Sequence, residues 1–407
     1  LDLALLNCLH PGIRLTTEVT AMVEQGPLPQ KVLMTADTVG GVWTYAVDLA
    51  RALSERGIEV ALATMGDPLC DAQRETVERI PRLRLFESTW KLEWMEEPWR
   101  DVEKASEWLL RLESRIGPDV VHLNSYAHAQ LPWSAPKLVV AHSCVLSWWS
   151  AVKGERAPES WERYRTEVRA GLAAADLVVA PSAAMLAALS EHYGMLPNAR
   201  VIPNGRDARL FRPAPQAAKE EIVFAAGRLW DEAKNLAALE RVAPEIPWPI
   251  YVAGESQHPD GGEIRPHNTR LLGRLTPRAM AAWLGRAAIY ALPARYEPFG
   301  LSALEAALAG CVLVLGDIPS LREVWRNRAV FVPPEEPEAL RTALLSLIEN
   351  PDRRNALAAG ARARALELTP ERMLDGYLAA YGELLAAREV EVDGFSGHLE
   401  PAEPIAV

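Results

Sequence analysis

The sequence has little of what marks a secreted, metal-stapled or membrane-spanning chain. Its four cysteines in 407 residues, Cys8, Cys70, Cys144 and Cys311, are scattered without CxxC or metal-ligand spacing. That pattern excludes a disulfide scaffold and suits reduced thiols in a cytoplasmic protein. No run of 18 apolar residues occurs: the nearest stretch, Ala170 to Ser190, is interrupted by Asp176 and Pro181, so no transmembrane span is expected. The first residues, LDLALLNCLHPG, lack a basic lead and make a poor signal peptide. Positive charge is also scarce, with a net charge of −11 and a stretch from Glu389 to Val407 that holds five acids and no Lys or Arg. Without a basic stripe to offset that balance, nucleic acid is excluded as a partner. Low-complexity repeats are absent.

What is present is a long alternation of short apolar runs and helical segments. KVLMTA (Lys31 to Ala36) reads as a buried strand, the segment after it as a helix ended by Gly57, and EVALAT (Glu59 to Thr64) as the next strand. A βαβ unit of this kind implies a parallel sheet. Further strands are expected at Asp119 to Leu123, Leu138 to Ala141, Leu177 to Ala180 and Arg200 to Ile202. Phe211 to Lys219, rich in Pro and Ala, reads as a linker. Beyond it the alternation restarts at Glu221 to Ala226, Pro249 to Ala253, Arg270 to Leu272, Ala288 to Leu292 and Cys311 to Leu315. The fold class is therefore α/β, with two doubly wound, Rossmann-like domains. The expected division is an N-terminal extension at 1–30, a first domain at 31–212, and a second at 213–370. A helix at 371–388 packs back on the first domain, and 389–407 form an acidic tail.

Four constellations carry candidate chemistry. Gly40 and Gly41 follow the first strand, where the backbone can approach a diphosphate closely and a helix start faces it. The same pair also makes an ordinary tight turn. Arg228 follows a buried strand and Lys234 opens the next helix, so two cations stand over one loop and can neutralise a leaving diphosphate. There is no Asp-x-Asp pair, so a metal-bridged diphosphate is not expected. His142 ends a strand, where sites form in open parallel sheets, and His122 and Asn124 end another. Finally EPFGLSALEAALA places Glu297 in a loop that opens a helix and Glu305 about one turn into it. Each feature alone also fits a solvated or packing residue. Together they fall at strand ends in both domains.

The runs VIPNGRDARLFRP, FAAGRLWDEAKN, YVAGE and EPFGLSALEAALAG, in that order, resemble family 4 of the glycosyltransferases, the retaining enzymes of GT-B architecture. The resemblance covers roughly residues 31–370. It implies that the second domain binds a nucleoside diphosphate sugar, with Arg228 and Lys234 on the diphosphate. Glu305 would take the ribose hydroxyls and Glu297 those of the donor sugar. The backbone of Phe299, Gly300 and Leu301 would cradle sugar and phosphate, and Gly273 and Arg274 would flank the base. From the first domain, Gly40 and Gly41 would approach the diphosphate and His142 the sugar. Two positions depart from the family pattern: Trp43 stands where a smaller residue is usual, and Arg206 replaces the common apolar residue after Asn204-Gly205.

The implied reaction moves a sugar, UDP-linked first and GDP-linked second, to a hydroxyl of a saccharide, glycolipid or small molecule. It retains anomeric configuration and needs no metal or other cofactor, and its catalytic groups would be His142, Arg228, Lys234 and Glu297. Eight of the 13 tryptophans lie between Trp90 and Trp161. Of these Trp148 and Trp149, with His122 and Asn124, are the acceptor candidates, since aromatic faces suit sugar rings or flat aglycones. The expected location is cytoplasmic, with peripheral contact at the inner face of a membrane as one option for a lipid-linked acceptor. A nucleotide-sugar epimerase or hydrolase of the same architecture, or a non-catalytic donor-binding protein, are the competing readings.

Overall fold

The computed structural model describes residues 27–213, 219–257 and 263–396. Most of the expected extension, the middle of the linker and the end of the acidic tail lie outside the described residues. The first lobe runs β1 (Lys31–Asp37), α1 (Gly41–Glu55), β2 (Glu59–Met65), α2 (Asp71–Glu78), β3 (Leu83–Glu87), α3 (Trp99–Ile116) and β4 (Val120–Leu123). It continues through β5 (Lys137–Val140), α4 (Val145–Lys153), α5 (Glu162–Ala174), β6 (Leu177–Ala180), α6 (Ala183–Tyr193) and β7 (Ala199–Val201). The second lobe holds β8 (Glu220–Ala226), α7 (Leu236–Val242), β9 (Ile250–Ala253), β10 (Arg270–Gly273), α8 (Pro277–Arg286) and β11 (Ala287–Leu292). Then come α9 (Leu301–Leu308), β12 (Val312–Gly316), α10 (Pro319–Trp325), β13 (Val330–Val332), α11 (Pro337–Glu349), α12 (Pro351–Ala365) and α13 (Pro370–Ser396).

All strand pairings are parallel, in the orders β3-β2-β1-β4-β5-β6-β7 and β10-β9-β8-β11-β12-β13. The apolar runs are continuous because helices cover both faces of each sheet. Alternate residues feed opposite cores. In the first sheet Val120, Val140 and Val179 face one cluster, and Val121, Val139 and Val178 the other. In the second, Val223, Ile289 and Val314 face one side, and Phe224, Tyr290 and Leu313 the other. β3 and β13 are the strands that the sequence pattern does not announce. β3 is an edge strand, half exposed and carrying Arg84, and β13 is an edge strand of three residues.

The order of each sheet reverses direction at one place, between β1 and β4 and between β8 and β11. Loops leaving adjacent strands there go to opposite faces and open a crevice at the carboxyl ends. The chain crosses between lobes twice, after β7 and again at Leu368–Pro370. α13 then buries Met373, Leu374, Tyr377, Leu378 and Tyr381 in the first lobe's core beside Val32 and Leu53. Its helix runs on to Ser396, past the end expected at 388, because no proline interrupts that stretch. Among the described residues no helix is long and apolar enough to cross a membrane.

Candidate active site

The two crevices face each other. Gly40 adopts a left-handed φ of 77° that an L side chain resists, and Gly41 begins α1. A Cβ placed on Gly41 would lie 3.5 Å from Leu301 Cδ1, and Leu301 begins α9 of the other lobe. The amino ends of α1 and α9 therefore meet across the cleft. Neither carries a side-chain cap or an acid in its first turn. Their free N–H groups and dipoles both favour an anion between them.

Two cations flank that place. Arg228 leaves the end of β8 and is held by Asp231, with Nη2 2.9 Å from Oδ2. A Cβ on Gly40 would lie 4.0 Å from Arg228 Nη1, so the guanidinium reaches the glycine loop of the opposite lobe. Asp231 is 4% exposed, accepts from the Ala233 N–H at 3.0 Å and from Trp148 Nε1 of the first lobe at 2.9 Å. Burial pushes its carboxyl up, but the charges of Arg228 and Lys234 and these hydrogen bonds hold it below the usual carboxylate range. Lys234 Nζ lies 2.6 Å from Glu297 Oε2, and Glu297 Oε1 accepts from the Gly300 N–H at 3.0 Å. Glu297 thus fixes both the lysine and the turn that starts α9.

Glu305 projects from α9 to Arg206, with Oε1 2.8 Å from Nη2. Arg206 Nη1 also pairs with Asp48 on α1. Burial raises the Glu305 pKa, and the Arg206 charge opposes the rise. In the first lobe, His142 Nε2 lies 2.7 Å from Asn124 Oδ1, and its ring meets Tyr45 edge-on at 4.5 Å. Burial lowers its pKa to about 3, so it is neutral and acts through hydrogen bonds at neutral pH. Asn124 in turn donates Nδ2–H to the Thr35 carbonyl at 2.6 Å and its backbone N–H to Thr35 Oγ1 at 2.8 Å. Asp37, at the end of β1, is pushed up to about 7 by burial, against the Val39 N–H and the Arg228 charge.

The sequence pattern of Glycosyltransferase Family 4 matches residues 39–210, and that of Glycosyl transferases group 1 matches residues 208–364. The chain belongs to the family 4-like GT-B glycosyltransferases. The D-inositol 3-phosphate glycosyltransferase of Geodermatophilus obscurus is 28% identical, over 92% of each chain. A glycogen synthase of Mycobacterium tuberculosis is 31% identical over 61% of this chain and 64% of its own. Among solved structures, sucrose-phosphate synthase from Thermosynechococcus elongatus has a TM-score of 0.74 at 20% identity, over 88% of this chain and 100% of that one. HepE of Anabaena, in complex with UDP-glucose, has a TM-score of 0.66 at 18% identity, over 88% and 99%. Both share the fold.

Within this glycosyltransferase the structure brings Gly40, Gly41, Arg228, Lys234, Glu297, Phe299, Gly300, Leu301 and Glu305 to one cleft, with His142 on its first-lobe wall. Gly273 ends β10, an edge strand two places from β8, and exposed Arg274 follows it. The other expectations change. His122 is fully buried, with Nε2 3.1 Å from Tyr45 Oη and Nδ1 2.7 Å from Tyr381 Oη. Both ring nitrogens are used inside the core, so it offers nothing to an acceptor. Asn124 is likewise spent on holding His142. Trp148 bridges the lobes through Asp231, and Trp149 packs against the first lobe's core. Most neighbouring tryptophans pack too, Trp90 on Trp108 and Trp161 on Tyr164. Sequence reasoning passed over Asp37, Asp231 and, as a site residue, Arg206. An acid at a strand end three residues before a glycine pair was the available signal for Asp37; Trp148, which donates to Asp231, lies on the other lobe, and Arg206 pairs with one carboxylate from each lobe.

Proposed function

We propose that the enzyme transfers a sugar from a nucleoside diphosphate sugar to an acceptor hydroxyl, keeping the anomeric configuration. The observation that carries this reading is the convergence of Arg228, Lys234 and two uncapped helix starts on one cleft between lobes. A diphosphate is the leaving group that such a concentration of positive potential suits. The UDP-glucose complex of HepE supports a UDP-sugar as first choice, with a GDP-sugar second. In this reading the second lobe (213–370) holds the donor and the first (31–212) the acceptor. Glu305 takes the ribose hydroxyls, Glu297 those of the sugar, Gly273 and Arg274 flank the base, and neutral His142 hydrogen-bonds the sugar.

As the glycosidic bond breaks, negative charge grows on the diphosphate and positive charge on the sugar. Preorganised cations and N–H groups stabilise the first without reorganising at the moment of reaction. Glu297 is tied to Lys234 and Gly300, so the reading assigns no carboxylate nucleophile. The acceptor hydroxyl instead attacks from the face the diphosphate leaves, and a phosphate oxygen takes its proton. The acceptor is a saccharide, a glycolipid at a membrane surface or a small molecule; the likeness to D-inositol 3-phosphate glycosyltransferases supports trying phosphorylated polyols first among small molecules.

The test has two stages. UDP, GDP and ADP are compared by thermal shift, where a ligand at 100 times its Kd stabilises by about 2.7 kcal/mol. The sugar nucleotide of the winning base is then incubated with acceptors, with and without EDTA, and the products are analysed by NMR. A glycoside of retained configuration, formed with EDTA present, is expected. A changed sugar nucleotide, free sugar alone, or binding without turnover in every acceptor would replace this reading by the epimerase, hydrolase or binding-protein alternative.

A further inference from the structure

Both crossings of the chain between lobes meet at Arg206. Its backbone N–H donates to the Leu368 carbonyl at 3.1 Å, and a Cβ on the preceding Gly205 would sit 2.1 Å from the Thr369 carbonyl oxygen. The outgoing strand connection thus lies directly on the returning one. From this hinge the Arg206 side chain, 7% exposed, spans to Asp48 on α1 and Glu305 on α9, with its guanidinium 5.1 Å from the centre of the Phe211 ring. Its Nε–H is buried without an acceptor among the described residues. An apolar side chain would fill such a slot against Phe211 without burying a charge or orphaning a donor, so packing alone does not account for arginine here.

The charges show what the cluster is fitted to receive. Two carboxylates and one guanidinium leave one net negative charge, which repels phosphate and suits hydroxyl donors. Arg206 occupies Oε1 of Glu305, and among the described residues Oε2 has no protein partner. We infer that Arg206 is a positioning residue for nucleotide recognition, holding Glu305 from the hinge so that its free oxygen meets the ribose diol of the donor. Asp48 anchors the guanidinium from the opposite lobe, so the grip on Glu305 is complete only when the lobes are in this arrangement. Burial would otherwise favour a protonated Glu305; Arg206 counters it, while Asp48 pushes the other way.

This inference rests on the assignment of Glu305 to the ribose, and the experiment separates the two. Binding of UDP, GDP and ADP and of their 2′-deoxy counterparts is measured by calorimetry on the full chain. Wild type should prefer the ribonucleotide of its base by about tenfold or more, as expected for a hydrogen bond to a charged group. Arg206→Gln should cut that preference to about threefold or less while leaving affinity for the 2′-deoxy form nearly unchanged, and Arg206→Lys should restore part of it. In a Glu305→Gln background, Arg206→Gln should change discrimination no further. A folded Arg206→Gln protein that discriminates like wild type overturns the role of Arg206 and leaves the ribose assignment standing. A wild type without preference overturns both. If Arg206→Gln does not fold, Asp48→Asn and Arg206→Lys decide, since each loosens the clasp and unchanged discrimination in both overturns the inference.

Discussion

The two lobes are built on the same order of central strands, yet they bring opposite kinds of chemistry to the cleft. From the crevice beside β1 come Gly40, Gly41, neutral His142, Asn124 and Asp37, groups that act through shape and hydrogen bonds. From the crevice beside β8 come Arg228, Lys234, Glu297 and, on the adjoining helix, Glu305, all charged and all tied to a partner. A shared topology therefore fixes where a site lies but not which lobe carries its charge. That division suits a reaction in which one lobe draws off a charged leaving group and the other admits a neutral acceptor.

The sharpest way to break the comparison is to remove charge from the second lobe. Arg228→Ala should lower kcat by about 10²–10³-fold, the loss of one preorganised donor to a developing charge. Steady-state rates close to wild type would end the assignment of leaving-group stabilisation to that lobe. The converse test adds persistent neutrality to the first lobe through Asp37. Burial raises its folded pKa to about 7, well above the ordinary aspartate value, so the native state keeps a proton that the unfolded chain has lost. Stability contributed by that proton is present below about pH 4 and is lost as pH rises through about 7. Asp37→Asn should therefore gain on wild type by about 2–4 kcal/mol between pH 5 and pH 8, read from urea unfolding at both values. Glu93, also raised to about 7 by burial, titrates in both proteins and cancels in the difference. An unchanged gap between the two pH values would mean that Asp37 ionises freely and the first lobe is not neutral.

Smaller effects sharpen the picture. Glu305→Ala should weaken nucleotide binding by about tenfold with little change in kcat, as loss of one charge-assisted hydrogen bond made before the transition state. A fall in kcat at constant affinity would instead put Glu305 at the reacting bond. Trp148→Phe keeps the ring and removes only the N–H that reaches Asp231. It should lower kcat/KM by about threefold to fivefold, the value of one neutral donor on a shared carboxylate. No change would make the contact incidental to the poise of Arg228.

Much of the architecture was legible because parallel strands covered on both faces leave continuous apolar runs, and the runs at β1, β2, β4 to β9, β11 and β12 stand out unaided. β3 was silent because it is half exposed and carries Arg84 and Glu87, and β13 because its three residues leave no period to read. Among site residues, those set by backbone requirements were readable: Gly40 by its turn, Arg228 and Lys234 by a loop after a strand, Glu297 by a helix start. His122 misled because a histidine at a strand end looks the same whether it turns to the cleft or to a tyrosine of α13, 259 residues further on. Trp148 misled in the same way, its partner standing 83 residues away.

What the sequence determined by itself is the pair of doubly wound sheets and the loops at their carboxyl ends, because hydrophobic periodicity and turn residues act over a few neighbours. What only the tertiary structure decided is the partner of each polar side chain: Arg206 with Asp48 and Glu305, Asp231 with Arg228 and Trp148, His122 with the core. Trp148 with Asp231 and Arg206 with Asp48 and Glu305 join segments that meet only where the two lobes face each other, while His122 finds its partners in the first lobe's core. Burial there makes an unpaired polar group costly, and so settles which contacts form.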